Sequence, residues 1–327
     1  MSAVDSSAEE LRPRRGRQWL TLLLKVGVTA GIFYLIFRAV PLRNVFQTIV
    51  GVHPLYLISA LLFQLLSTAT ASWRWYLVMR RLGFRASEGF SLRSYFKGSM
   101  FNQVLPTSIG GDAIRVLDLA KACRCKKRYA FYAVAVDRGI GLMGLLLMAL
   151  IAGLFIHDLL PSAIRWLLLL IPMIGLSGVL GLILLHRSGW LVRVWGVQLL
   201  HALGERLDRV LSSLRGLAIH LPLSVFIHFL AVVAVYHLAL GLGMDYGLLL
   251  FLAIVPPVFL LLTVPISIAG WGLREGAMLG LFLLVGADEA QVVSMSILYG
   301  LILIVASLPG LYFYWTSVHK NKAIRIQ

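Results

Sequence analysis

The stretch LPTSIGGDAIR, residues 105–115, returns in altered form as VPISIAGWGLR, residues 264–274. Pro106, Ser108, Ile109, Gly111 and Arg115 align with Pro265, Ser267, Ile268, Gly270 and Arg274. Each copy follows the same order. A proline ends a helical arm, because it lacks an N–H and its ring clashes with the turn before. Glycines follow, Gly110 and Gly111 in one copy and Gly270 and Gly272 in the other, and these permit positive φ and close backbone approach. An arginine then falls in the first turn of a new helix, which the pattern predicts to start near Asp112 and near Trp271.

The surroundings of both copies are apolar. Of 327 residues, 59% are hydrophobic, and the mean hydropathy is +0.87. That exceeds the roughly 45–50% apolar content of soluble domains. Several runs reach the ~20 residues that a membrane-spanning helix needs. The chain therefore reads as an all-α polytopic membrane protein, without the alternating segments of about ten residues that mark a transmembrane barrel. Six full spans are predicted near residues 19–37, 54–79, 129–156, 163–185, 221–241 and 292–315. Two broken hairpins lie near 91–122 and 248–286, and residues 38–53 read as a link. Residues 190–219, with Arg193, Arg206, Arg209 and Arg215, read as an amphipathic helix along the cytoplasmic surface. Residues 1–17 and 317–327 are cytoplasmic tails, and 18–158 and 159–316 are two membrane repeats.

Charge sets the orientation. The net charge of +16 arises from 30 Lys and Arg against 14 Asp and Glu. In a polytopic membrane protein this is the positive-inside signature. No aromatic-basic module points to nucleic acid. The predicted outer links hold only Arg38, Arg43 and Arg165 among the basic residues, so both termini face the cytoplasm. The first hairpin is flanked by Arg80, Arg81, Arg85 and Arg93, then by Lys121, Arg124, Lys126, Lys127 and Arg128, so both its ends face inward. The second is flanked by GMDYG and GADEAQ, which carry no Lys or Arg, so both its ends face outward. The same order of spans with opposite polarity is an inverted-topology repeat. Interrupted segments at matching positions of such repeats point to a transporter's substrate site. Re-entrant hairpins are favoured over full spans, because PTSIGGD is too polar to face lipid.

The breaks have a definite chemistry. Helix starts carry the positive end of the dipole and bind anions. An arginine there is misplaced unless an anion is present, and at membrane depth it costs at least ~2.5–3.5 kcal/mol. A bound phosphate offsets both, and the guanidinium fork grips it bidentately. The candidate headgroup-binding residues are Arg115, Arg274, Ser108, Gly110, Gly111, Ser267, Gly270 and Asn102, with Pro106 and Pro265 as the breaks. Asp112, Asp137, Arg138 and Glu275 are either ion-pair partners between helices or proton carriers. In the ion-pair reading Asp112 meets Arg115, Glu275 meets Arg274 or Arg115, and Asp137 meets Arg138. His228 and His237 read as interior histidines, and Cys123 and Cys125 as free thiols in a basic loop. No metal-ligand set, cofactor motif or hydrolase motif is present in the sequence, and no catalytic residue is assigned.

NQVLPTSIGGDAIR (102–115), AVDRGIGL (135–142) and VPISIAGWGLREG (264–276) resemble the signatures of the lysylphosphatidylglycerol synthase transmembrane region, or flippase-like domain, family. The resemblance covers residues 19–315. It implies lipid translocation or binding, and together with the arginines at the breaks the expected function is transport of a phosphate-bearing lipid in a bacterial cytoplasmic membrane. In the multiple peptide resistance factors a similar domain moves lysylated phosphatidylglycerol, which a following aminoacyl-transferase domain makes. The chain ends soon after its last span, so a stand-alone translocator is expected. The alternative is an integral-membrane lipid-modifying enzyme, with Asp112, Asp137 or Glu275 as its base or nucleophile, or an accessory subunit of a lipid or glycolipid synthase. Alkaline phosphatase fused after Gly243 is expected to be active and after Lys121 inactive. The reverse pattern overturns the orientation.

Overall fold

The computed structural model describes residues 15–105, 110–155, 161–188, 198–264 and 266–325. Among these the chain forms twelve α-helices: α1 (Arg15–Ala39), α2 (Leu42–Val50), α3 (Pro54–Arg81), α4 (Glu88–Val104), α5 (Gly110–Ala122), α6 (Lys127–Leu154), α7 (Ser162–Arg187), α8 (Gln198–Leu211), α9 (Leu214–Gly241), α10 (Leu248–Leu261), α11 (Leu273–Phe282) and α12 (Glu289–Arg325). One 3₁₀ turn, Leu283–Val285, follows α11.

Six helices are long and apolar enough to cross a bilayer: Leu22–Ala39, Pro54–Arg81, Lys127–Leu154, Ser162–Arg187, Leu214–Gly241 and Glu289–Ser317. The helices between them are shorter. At 1.5 Å per residue, α5 extends about 20 Å and α11 about 15 Å, against a hydrocarbon core of about 30 Å. Local signals set several starts. Ser87 accepts the Phe90 N–H at 3.2 Å to begin α4, and Ser213 accepts the Gly216 N–H at 2.9 Å to begin α9.

The helix order repeats. Helices α3 and α9 are both 28 residues long. One offset carries Pro54 to Leu214, Arg81 to Gly241 and Glu88 to Leu248. The contacts repeat as well. The α3–α9 pair lies at the centre; α4 packs on α5 and α12, as α10 packs on α11 and α6. Helix α6 lies on α9, as α12 lies on α3.

The main core gathers Val232, Val235 and Leu238 of α9 with Phe251 and Ile254 of α10, Met278 and Phe282 of α11, and Met295 of α12. Helices α1 and α7 are peripheral. They expose Leu23, Leu24 and Leu35, and Leu167, Leu170 and Ile174, as membrane-facing helices do. Close crossings use glycine. A Cβ at Gly111 would overlap the Gly98 backbone between α5 and α4, one at Gly144 would overlap Ser224 between α6 and α9, and one at Gly310 would overlap Phe96 between α12 and α4. Small residues of this kind let membrane helices approach closely.

Two boundaries differ from the sequence reading. The link at 38–53 contains α2, whose Val45 is buried. The amphipathic stretch is shorter: α8 ends at Leu211, and the Ser213 cap starts the spanning helix at Leu214, so Arg215 to Ile219 belong to the span. Arg193 lies outside the described residues. The helices after the breaks begin at Gly110 and Leu273, near the expected Asp112 and Trp271. Gly144→Leu is expected to lower stability in detergent by about 1–3 kcal/mol through overpacking. Gly178→Leu, where a Cβ meets nothing within 4 Å, should leave the thermal midpoint almost unchanged. Equal midpoints for the two variants would reject the close crossing.

Candidate functional site

The first break is backed by a buried network of charge. Helix α3 supplies Arg74, α5 supplies Asp112 and Arg115, and α6 supplies Asp137 and Arg138. Asp137 Oδ1 accepts Arg74 Nε at 3.0 Å, and Oδ2 accepts Arg115 Nη2 at 2.6 Å. Arg74 also donates to the Asp137 carbonyl at 3.1 Å and to Ser224 Oγ at 3.0 Å. Asp112 bridges the remaining guanidiniums, to Arg115 Nη1 at 3.2 Å and to Arg138 Nε at 2.6 Å. The Asp137 side chain is 1% exposed and that of Arg115 5%, whereas Arg138 is 49% exposed. Among the described residues three guanidiniums meet two carboxylates.

Aromatic rings complete the Arg115 site. Its guanidinium carbon lies 4.2 Å from the Trp75 ring and 4.5 Å from the Tyr95 ring, a favourable placement for a desolvated cation. Its Nε is buried and has no acceptor among the described residues. A Cβ at Gly141 would stand 3.0 Å from both terminal nitrogens of Arg74, so glycine makes room there. The two arms of the hairpin are joined by Lys97 on α4 and Asp118 on α5, 2.6 Å apart.

The second break closes on itself. Ala269, Gly270 and Gly272 adopt left-handed φ values of 49°, 82° and 80°. The Gly272 N–H donates to Glu275 Oε2 at 2.6 Å, so Glu275 caps its own helix. Its other oxygen accepts Arg274 Nε at 3.1 Å, Arg274 Nη2 at 2.7 Å and the Ser296 hydroxyl at 3.2 Å. Arg274 and Glu275 side chains are 1% and 0% exposed. Arg274 lies over Trp271 at 4.7 Å, with Tyr299 6.0 Å away. A Cβ at Gly300 would overlap Arg274 Nη2. Tyr299 donates to Gln64 Oε1 at 3.0 Å. Gln64 and Arg74 share α3, about 15 Å apart along its axis, so that helix touches both clusters.

These contacts correct the sequence reading in specific ways. Arg115 and Arg274 were read either as holding an external anion or as paired inside the protein, and both stand beside carboxylates of the protein. Asp137 pairs with Arg74 and Arg115 and not with Arg138, whose partner is Asp112. Glu275 pairs with Arg274, while Arg115 binds other carboxylates. Asn102 Oδ1 accepts the Gly111 N–H at 2.8 Å, so it closes the start of α5. Gly110 and Gly111 are helical, and the left-handed φ values among the described residues of the breaks belong to Ala269, Gly270 and Gly272. Ser267 is 2% exposed, and the neighbouring Ile268 N–H donates to Thr29 Oγ1 at 3.3 Å. Pro106, Ser108 and Pro265 lie outside the described residues. His228 meets the Gly141 carbonyl at 3.0 Å and His237 meets Ser59 at 2.8 Å.

Arg74, Trp75 and Tyr95 escaped the sequence reading, which placed no site residue on the span at 54–79. A signal was present. Gln64, Ser67, Ala71, Arg74 and Val78 recur at helical spacing, and all are buried. Small and polar residues on one face of an apolar helix mark the side turned to protein.

The sequence pattern of the lysylphosphatidylglycerol synthase TM region matches residues 22–310. The chain belongs to this family. The match runs from α1 into α12 and takes in both clusters. No protein of curated function matches the chain. As a family member it is a multi-pass membrane protein of the lysylphosphatidylglycerol synthase and flippase type.

The network predicts unequal mutational costs. Asp137→Asn takes the carboxylate from the buried Arg74 guanidinium, leaves Arg115 only Asp112, and is expected to lower stability by about 3–5 kcal/mol. Arg138→Gln removes a half-exposed partner and is expected to cost about 0–1 kcal/mol. Thermal unfolding of both variants in one detergent is the check.

Proposed function

We propose that the chain is a lipid transporter of the bacterial cytoplasmic membrane that moves a lipid with a phosphate-bearing headgroup between leaflets. In this reading the breaks belong to two re-entrant hairpins of an inverted repeat, both termini are cytoplasmic, and the headgroup passes between the hairpins while its tails stay in the bilayer. One observation carries the proposal: a membrane-embedded cluster of three arginines and two aspartates beside the first break, with the Arg138 guanidinium half exposed. The repeated helix order supports it, because alternating access is commonly a rocking of one repeat against the other around a fixed site.

Internal pairing changes how such a site works. Asp112 holds both Arg115 and Arg138. An arriving phosphate exchanges with Asp112 and takes those guanidiniums bidentately. The Arg115 Nε supplies a further donor. Exchange of one anion for another avoids baring an arginine in hydrocarbon, the costly alternative. The Arg274–Glu275 pair stands at the second hairpin, sealed from solvent, and opens only if α11 moves against α12. Transport is preferred over chemistry on the lipid because Asp112, Asp137 and Glu275 are all engaged by guanidiniums and so are poorly placed as base or nucleophile.

The test is leaflet exchange in reconstituted vesicles carrying fluorescent phosphatidylglycerol, with a glucosyl diacylglycerol as the phosphate-free control. Arg138→Gln is expected to slow phosphatidylglycerol exchange about tenfold, the worth of one charge-assisted hydrogen bond, while the protein stays folded. Equal rates for wild type and variant, or equal transport of the phosphate-free lipid, reject the headgroup role. Lipid species that vanish from cells lacking the protein would favour the modifying enzyme.

A further inference from the structure

A second basic recess lies away from both breaks, where α3 ends and α9 begins. It is a cavity of about 380 Å³ lined by Leu77, Arg80, Arg81, Arg215, Ile219 and His220. Arg80 and Arg81 stand in the last turn of α3, where cations suit the helix dipole. Arg215 stands in the first turn of α9, against the positive end of that dipole. No carboxylate lines the recess. Among the described residues none of these three guanidiniums has a carboxylate partner; Arg80 donates only to the Tyr76 hydroxyl, at 3.1 Å.

His220 adds an independent sign of a ligand. It is 1% exposed, it lines the cavity, and its Nδ1 has no hydrogen-bond partner among the described residues. Buried polar atoms are rarely left unpaired, and each exception calls for a reason. The residue is held in place, since its carbonyl accepts the Ser224 hydroxyl at 2.7 Å and that hydroxyl accepts Arg74. A larger cavity of about 670 Å³, lined by Arg85, Arg206 and Arg209 among others, offers a contrast. There Glu205 already pairs with Arg206 and Arg209.

We propose that Arg80, Arg81, Arg215 and His220 form a phosphate site that holds the headgroup of an anionic lipid at the end of the α3–α9 pair. The three guanidiniums supply charge, and the imidazole Nδ1–H donates to a phosphate oxygen. Leu77 and Ile219 give the glycerol end an apolar wall. A lipid is favoured as the source because α3 and α9 are both spanning helices, so their ends lie at the membrane boundary. The site does not depend on transport through the hairpins, and binding is read without any leaflet assay.

The test is thermal unfolding of the full chain in detergent, titrated with short-chain phosphatidylglycerol and, separately, with inorganic phosphate. Wild type is expected to be stabilised saturably by the lipid. Arg81→Gln/Arg215→Gln should weaken the apparent affinity at least tenfold. Both side chains are exposed, so the unliganded midpoint should not move. His220→Phe, which keeps every charge but removes the donor, should weaken it severalfold. Arg85→Gln/Arg209→Gln, at the other recess, should leave it unchanged. Equal affinity in wild type and in the Arg81/Arg215 variant, or an equal loss in the Arg85/Arg209 variant, overturns the site. Saturation by inorganic phosphate at the same concentration as the lipid overturns the headgroup assignment in favour of free phosphate.

Discussion

Asp137, held between Arg74 and Arg115, is the contact on which the first half of the protein turns. It ties a central span, a hairpin arm and a second span together where water is scarce. Charges in such a place persist only when paired and hydrogen-bonded. Around this carboxylate the sequence places what a buried ion network requires: Gly141 to admit the Arg74 fork, Trp75 and Tyr95 to face the Arg115 cation, and Ser224 to take a remaining N–H.

The second half solves the same problem locally. Asp137 stands at the same distance from the start of α6 as Tyr299 does from the start of α12. Where the first half has a carboxylate, the second has a phenol, and its carboxylate comes from Glu275 on the arginine's own helix. The first arginine is therefore coupled by charge to two spans. The second is coupled to its neighbours by Ser296, aromatic contact and the Tyr299–Gln64 hydrogen bond.

The spans were legible in sequence because lipid imposes about twenty apolar residues per crossing, a constraint local to each run. The breaks were legible because proline and glycine act on their own backbone. The pairing of Asp137 with Arg74 was not, since nothing local links residues on α6 and α3, and the adjacent Arg138 was the nearer partner in the chain. The Arg274–Glu275 pair was legible for the opposite reason. Helix α2 escaped because it is too short to span, and the start of α9 escaped because Arg215 made the first turn of a span resemble a surface helix.

Pairing and binding pull against each other in a membrane. A bare arginine pair would be costly to fold. A pair matched one to one and sealed from solvent would be hard to open. Arg274 and Glu275 lie near the second limit, with almost no exposure and a single shared charge balance. The first cluster lies between the limits. In the proposed cycle Asp112 is exchanged at the edge, beside the half-exposed Arg138, while Asp137 keeps Arg74 and Arg115 joined at the centre. In the proposed cycle the edge of the first cluster is therefore the side on which a phosphate headgroup engages with least disruption. Opening the second cluster would require moving α11 against α12, since Ser296 and Tyr299 both close over Arg274.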